Sequence, residues 1–318
     1  MMDSMRVLMV GSRLRLAKTA RWVSRPRRVV GLGIGRAPAS ALLAIAVLLA
    51  FAAFFGPRPW LTRAAMGTSA SGSADGKPTS GPLTVVGLGD SVTAGAQCDC
   101  TNFVDRLATM LSARDQVPTT AVNLGVDGLT AAGMVEQLRD TTVSRTVAAG
   151  DVVVITIGAN DLQPALDRWD STQLQVADQG GCSGTCDDAT LDAVGTDVAA
   201  VVAHVRQLRG ARPTQVLVTD YWNVFEDGAI GRADRGPAYL VWSDALTRRL
   251  NERICAAAAA QDATCVDLYA TFKGDGAEDP TALLADDGDH PDADGHKVIS
   301  QTLLSALPPL APPGVPSR

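Results

Sequence analysis

Residues 84–128 read TVVGLGDSVTAGAQCDCTNFVDRLATMLSARDQVPTTAVNLGVDG. The stretch opens on a short apolar run (Thr84–Leu88), passes a glycine-rich turn, follows a helical pattern over Asn102–Ala113, and returns to an apolar run at Thr120–Leu124. Short runs that are apolar without alternation fit parallel strands covered on both faces. The same alternation continues outward. Further strands are expected at Val152–Ile157, Gln215–Thr219 and Thr264–Leu268, and further helices at Ala131–Thr141, Thr190–Leu208, Tyr239–Ala260 and Gly295–Leu307. Strand–helix alternation at this spacing predicts an open, doubly wound α/β sheet, most simply of five parallel strands. Gln163–Asp188, rich in Gly, Asp and Cys, reads as a loop excursion that two cysteines could pin. In such sheets the ligand crevice lies beyond the carboxyl ends of the strands.

The chain of 318 residues is 46% apolar and 19% charged, which excludes disorder and collagen-like repetition and allows one large domain or two small ones. Its net charge of −6 conceals a split: eleven Lys/Arg face Asp3 alone up to Arg63, and beyond it 17 basic residues face 33 acidic ones. So acidic a body repels phosphate backbones, so nucleic acid is not expected as a partner. The basic end precedes APASALLAIAVLLAFAAFF at 37–55, an uncharged run long enough to span a bilayer. Residues 1–36 then form a basic cytoplasmic arm, and 37–55 a transmembrane anchor or, alternatively, a cleaved export signal. No A-x-A pattern follows, which favours the anchor. Either way the body is expected outside the cytoplasm, on the cell membrane or secreted. Residues 56–82 read as a flexible linker, 83–307 as the folded domain and 308–318 as a Pro-rich tail.

All six cysteines (Cys98, Cys100, Cys182, Cys186, Cys255, Cys265) fall in the expected exported part. An even number there points to disulfides. C-x-C and C-x3-C could also ligate metal, but no histidine is near either pair in sequence. Cys255 with Cys265 is the simplest pairing, which leaves the 98/100 pair to meet the 182/186 pair.

Four polar clusters fall at or near predicted strand ends or the chain terminus: GDSVTAG at 89–95, NLGVDG at 123–128, GAND at 158–161 and DGDHP at 287–291. Ser91 alone could be a helix N-cap, Gly128 a turn residue and Asn160 a cap. G-L-G-D-S lacks the third glycine of a dinucleotide fingerprint and the lysine of a P-loop. Together the four clusters fit acyl transfer to serine. A serine hydroxyl needs a base, usually histidine, oriented by a carboxylate. Asp287 precedes His290 in D-x-x-H, so one turn can join them, and an imidazole, ordinarily titrating near ~6.5, suits a general base at neutral pH. The oxyanion donors are then the backbone N–H groups of Ser91 and Gly128 and the side-chain amide of Asn160. Asp161 reads as structural. His296 lacks a carboxylate three residues before it and opens a helical pattern, which makes it the weaker base. His204 lies inside another helical pattern.

GDSVTAG, NLGVDG, GAND and DGDHP, in that order, resemble the four blocks of the SGNH, or GDSL-type, esterase and lipase family, over roughly Leu83–Leu307. The resemblance implies a flavodoxin-like three-layer α/β sandwich around a central five-stranded parallel sheet. It implies a serine esterase or lipase with Ser91, Asp287 and His290 as triad, Ser91, Gly128 and Asn160 as oxyanion hole, and no cofactor or metal. The first block has Val92 where the family name has leucine, one apolar packing residue for another. The expected partners are a small-molecule or lipid ester substrate and, through the N-terminal segment, a membrane. Aromatic residues make up only 4% of the chain, which offers little stacking surface for sugars and tilts the reading toward small or lipid-derived acyl esters over acetylated carbohydrates. Two rivals remain. One is a metal-dependent phosphoesterase built on Asp90, Asn160, Asp161, His290 and His296. The other is an inactive binding domain on a tether.

Overall fold

The structure is a computed structural model that describes residues 81–174 and 187–310. The expected arm, the 37–55 segment, nearly all of the linker, the cysteines at 182 and 186 and most of the tail lie outside the described residues. Five parallel strands form one sheet: β1 (Leu83–Gly89), β2 (Thr119–Asn123), β3 (Val152–Thr156), β4 (Gln215–Thr219) and β5 (Thr264–Val266). Their order is β2-β1-β3-β4-β5. This is the flavodoxin-like arrangement, in which the winding reverses between β1 and β3 and opens a crevice beyond their carboxyl ends.

Helices cover the sheet. In chain order they are α1 (Ser91–Ala94), α2 (Phe103–Asp115), α3 (Ala131–Gln137), α4 (Thr141–Ala149), α5 (Gln163–Leu174), α6 (Asp188–Arg209), α7 (Gly228–Asp234), α8 (Pro237–Ala260), α9 (Leu268–Lys273) and α10 (Ala293–Ala306). Central strands are buried along almost their whole length: Val152 to Ile155 are fully covered, as are Val85, Val86 and Leu88. That two-sided burial is why these runs are apolar without alternation. Truncating one such side chain, as in Ile155→Ala, removes ~2–5 kcal/mol.

Three expectations are corrected in detail. The helix expected over Ala131–Thr141 is two helices. The Asp140 carboxylate accepts from the backbone N–H groups of Thr142 and Val143, capping a new start in the middle of the pattern. The loop expected from Gln163 begins instead as α5. Ala165 is buried there and Trp169 stacks on Trp242 at 4.7 Å, so tertiary packing outweighs the polar composition. The final strand stops at Val266, because Asp267 turns away from the sheet to cap α9 by accepting from Ala270 N–H at 2.6 Å.

Cys255 is disulfide-bonded to Cys265, tying α8 to β5. Cys98 is bonded to Cys100, which corrects the expected link between the 98/100 and 182/186 pairs. After α1 the chain doubles back through Gly95 and Gln97, both at positive φ, and brings the two Cα atoms to 5.1 Å. Among the described residues no helix is long and apolar enough to cross a membrane.

Candidate active site

The site forms where the winding reverses. Asp90 ends β1 and caps α1, so Ser91 is the first residue of a short helix at the strand tip. Gly89 is needed for this turn: a Cβ there would lie 2.0 Å from Thr93 Oγ1 and 2.4 Å from Thr156 Oγ1. Those two hydroxyls are hydrogen-bonded at 2.6 Å and pin the first turn of α1 to β3.

Asp90 is 1% exposed and fully engaged. Its Oδ1 accepts from Val92 N–H and from the Thr156 hydroxyl, both at 3.1 Å, and its Oδ2 accepts from the Tyr221 hydroxyl. Burial outweighs these donors and pushes the Asp90 carboxyl up to about 6. Burial, followed by the facing Asp90, drives the Tyr221 hydroxyl well above its ordinary value.

The histidine stands on a loop folded by Asp287. Asp287 Oδ1 accepts from the backbone N–H groups of Asp289 (3.0 Å) and His290 (3.1 Å), and Oδ2 accepts from His290 Nδ1–H at 2.7 Å. Desolvation opposes the charge on Asp287, yet the bonds from His290 and the two backbone donors hold its carboxyl below the usual range. Gly288, at φ +71, closes the loop: a Cβ would meet Ile230 Cβ at 2.6 Å, and the Gly288 carbonyl accepts from Asp227 N–H at 2.7 Å. Asp289 Oδ2 is 4.0 Å from the same His290 nitrogen. Desolvation and then the neighbouring Asp287, Asp90 and Glu226 push its carboxyl up, His290 opposing them.

Ser91, Asn160 and His290 line one cavity of about 130 Å³, together with Gln163, Leu166, Glu226, Asp289 and the aromatic walls Tyr221, Trp222, Phe225 and Tyr239. No hydrogen bond joins Ser91 Oγ to His290 here; bonds of this kind commonly tighten only with substrate bound. Gly128 lies outside the lining, on the exposed β2–α3 loop at φ +73 with open space where a Cβ would stand. The Asn160 amide reaches that loop, donating to the Leu129 carbonyl at 3.0 Å. Asp161 accepts from Ala131 N–H at 2.9 Å and so caps α3, a structural role.

His296 is placed away from the cavity. It is fully buried on α10, stacked on Phe103 at 6.0 Å, and neither ring nitrogen has a hydrogen-bond partner. Burial drives its imidazole down to about 4. With Asp161 spent as a cap and His296 elsewhere, the phosphoesterase set is not assembled. Among the described residues one three-residue donor set comes together, Cys98, Cys100 and His296, outside the cavity.

Sequence reasoning missed the cavity wall from β4, residues 221–226 (YWNVFE), which supplies three aromatic rings and Glu226. The available signal was position: a polar and aromatic cluster directly after a predicted parallel strand belongs to the same edge as Ser91.

The model of the GDSL-like Lipase/Acylhydrolase family matches residues 88–298. A lipase from a goat rumen metagenome shares 19% identity over 70% of this chain and 97% of its own, with a TM-score of 0.57. An acetylxylan esterase from Geobacillus stearothermophilus, solved as a catalytic mutant, shares 18% over 71% and 95% (TM-score 0.48). A lipase/acylhydrolase from Enterococcus faecalis shares 18% over 70% and 94% (TM-score 0.47). No curated protein sequence matches this chain significantly.

Proposed function

The chain belongs to the GDSL-like Lipase/Acylhydrolase family and is a carboxylic ester hydrolase, and from that premise we propose that it works through an acyl-enzyme on Ser91, with His290 as base and Asp287 as its orienting carboxylate. The observation that carries this reading is the 2.7 Å Asp287–His290 bond on a loop that shares one cavity with Ser91 and Asn160. Nδ1–H is engaged by Asp287, so Nε2 carries the lone pair that takes the serine proton. Oγ then bonds to the acyl carbon, and the imidazolium returns its proton to the departing alcohol. Water repeats the sequence and frees the acid. The oxyanion is met by Ser91 N–H, the Asn160 amide and the Gly128 N–H.

A cavity of about 130 Å³ suits a short acyl group. The low aromatic content argued against sugars, yet four of the aromatic residues are gathered in this one wall, and Gln163 and Glu226 add polar groups to it. These features favour, as a second reading, an acetylated carbohydrate as the alcohol moiety. We also place the domain outside the cytoplasm, on the charge asymmetry around residues 37–55. Mass spectrometry of the native protein in the membrane fraction should find residues upstream of Phe55; a soluble product beginning after Gly56 would remove the anchor and keep export.

A fluorophosphonate should label Ser91 alone, and EDTA should leave ester hydrolysis unchanged. A chain-length series of model esters, with phospholipid and acetylated-sugar substrates beside it, then separates the substrate readings. Chelator-sensitive phosphoester cleavage without a probe adduct would end the serine mechanism.

A further inference from the structure

A second group of reactive side chains lies apart from the cavity. The Sγ atoms of Cys98 and Cys100 and a ring nitrogen of His296 lie within 4.8 Å of one another. Ligands sharing a tetrahedral zinc at bond lengths of roughly 2.0–2.3 Å stand ~3.5–3.8 Å apart, so once the Cys98–Cys100 bond is broken, side-chain rotation would bring all three onto one ion. His296 is the telling member. It is fully buried, and both ring nitrogens lack any partner. An unmet buried polar group is destabilising, and stacking on Phe103 does nothing to satisfy it. An ion held at the cysteines would give one nitrogen its partner.

A route in is also present. An open pocket of about 320 Å³ borders both cysteines, with Asp99, Asp286 and Asp292 among its walls. Three carboxylates around one mouth raise the local concentration of cations. Two sulfurs with an imidazole select a thiophilic ion of the zinc class over magnesium or calcium.

We propose that Cys98, Cys100 and His296 form a redox-gated site for a thiophilic divalent cation. With the Cys98–Cys100 disulfide intact the site is closed. A dithiol reductant opens it: the S–S bond takes two electrons and two protons, giving two thiols, and the reductant becomes a disulfide. Cation binding then releases both thiol protons to solvent, with His296 supplying a neutral nitrogen and water filling the fourth position.

The test uses the full chain, reduced by a phosphine, desalted without oxygen and titrated with Co²⁺ and Zn²⁺. The reduced protein should bind stoichiometric Co²⁺ with a thiolate-to-cobalt charge-transfer band; the oxidised protein should show none. Cys98→Ser/Cys100→Ser should abolish that band under the same reduction, and His296→Gln should weaken Zn²⁺ by at least ~10-fold, the loss typical when a metal's supporting groups are removed. Should His296→Gln fold poorly, X-ray absorption on the Zn²⁺-loaded unmodified protein decides: two sulfurs with nitrogen and oxygen neighbours support the site, and four sulfurs overturn it. No binding after reduction, or full binding by the double cysteine variant, overturns it as well.

Discussion

Two oxygens of Asp287 do separate work, and a single substitution distinguishes them. Asn at this position keeps Oδ1 for the backbone donors that fold the loop and puts an amide, itself a donor, toward His290 Nδ1. Asp287→Asn should therefore fold and lower kcat with KM nearly unchanged. With Asp289 Oδ2 already 4.0 Å from the same nitrogen, the loss should be ~10²-fold, below the ~10⁴ seen where no second carboxylate is near. Asp289→Asn alone should matter little, and the double variant should lose more than the sum of the two effects in free energy, approaching ~10⁴-fold; an inert Asp287→Asn would take the carboxylate out of the triad. Asp90 makes a different prediction. Its carboxyl is raised by burial to about 6, so the folded state takes up a proton that the unfolded state releases. Stability should then fall as pH rises from ~4 to ~6, by up to ~3 kcal/mol, and stay level above. In Asp90→Asn that part of the slope should vanish from denaturant melts taken across the window. That Ser91, Asn160 and His290 share one cavity and that Asp287 bonds His290 was legible from sequence, because each sits in a short motif whose residue types fit one chemistry. Tyr221, which holds Asp90 from 131 positions away, was not, since no local pattern records a partner so distant.

At the scale of elements, five strands were legible within a residue or two; in β1, β3 and β4 two-sided burial forces a nearly unbroken apolar run, whereas the edge strands β2 and β5 are partly exposed. Boundaries set by a single side chain were not. Asp140 and Asp267 each end one pattern by capping another, and an aspartate in a helical pattern reads as an exposed position until its neighbours are known. The α5 segment was hidden for a related reason: its helix is held by Trp169 against Trp242 and Tyr239 on α8, a contact absent from the local sequence. The Cys255–Cys265 bridge joins α8 to β5 across a separation of ten residues. Closing so short a loop constrains the unfolded chain by about 3 kcal/mol. Cys255→Ala/Cys265→Ala should lose that much in guanidinium melts with kcat retained, because neither cysteine lines the cavity. A loss of activity without a loss of stability would tie this edge of the sheet to catalysis.

Across the whole molecule, the serine arrives from β1, the asparagine from the end of β3, the aromatic wall from the end of β4, and the histidine from a loop beyond β5 that no strand supports. That loop closes on itself, with Ala285 N–H donating to the His290 carbonyl at 2.8 Å, and is tied outward to a buried ion cluster. Lys273 on α9 is 6% exposed and donates to Asp227 and Asp244, each at 2.8 Å, and the backbone N–H of Asp227 donates to the Gly288 carbonyl between Asp287 and His290. The composition revealed none of this, because a lysine in a mixed sequence is ordinarily a surface residue. Asp244 retains Arg248 and the Tyr269 hydroxyl if the lysine is removed, whereas Asp227 is left with only its own cap to Gly228 N–H. Lys273→Met should therefore destabilise the fold by ~3–5 kcal/mol, the cost of stranding one buried charge. Adding Asp227→Asn removes that charge while keeping its acceptor for Gly228, so the double variant should recover most of the stability. Activity should follow the same course. Because the Asp227 N–H to Gly288 bond belongs to the backbone, kcat should return along with the fold in the double variant. A double variant as stable as the parent but still slow would mean that the lysine sets the position of His290 directly.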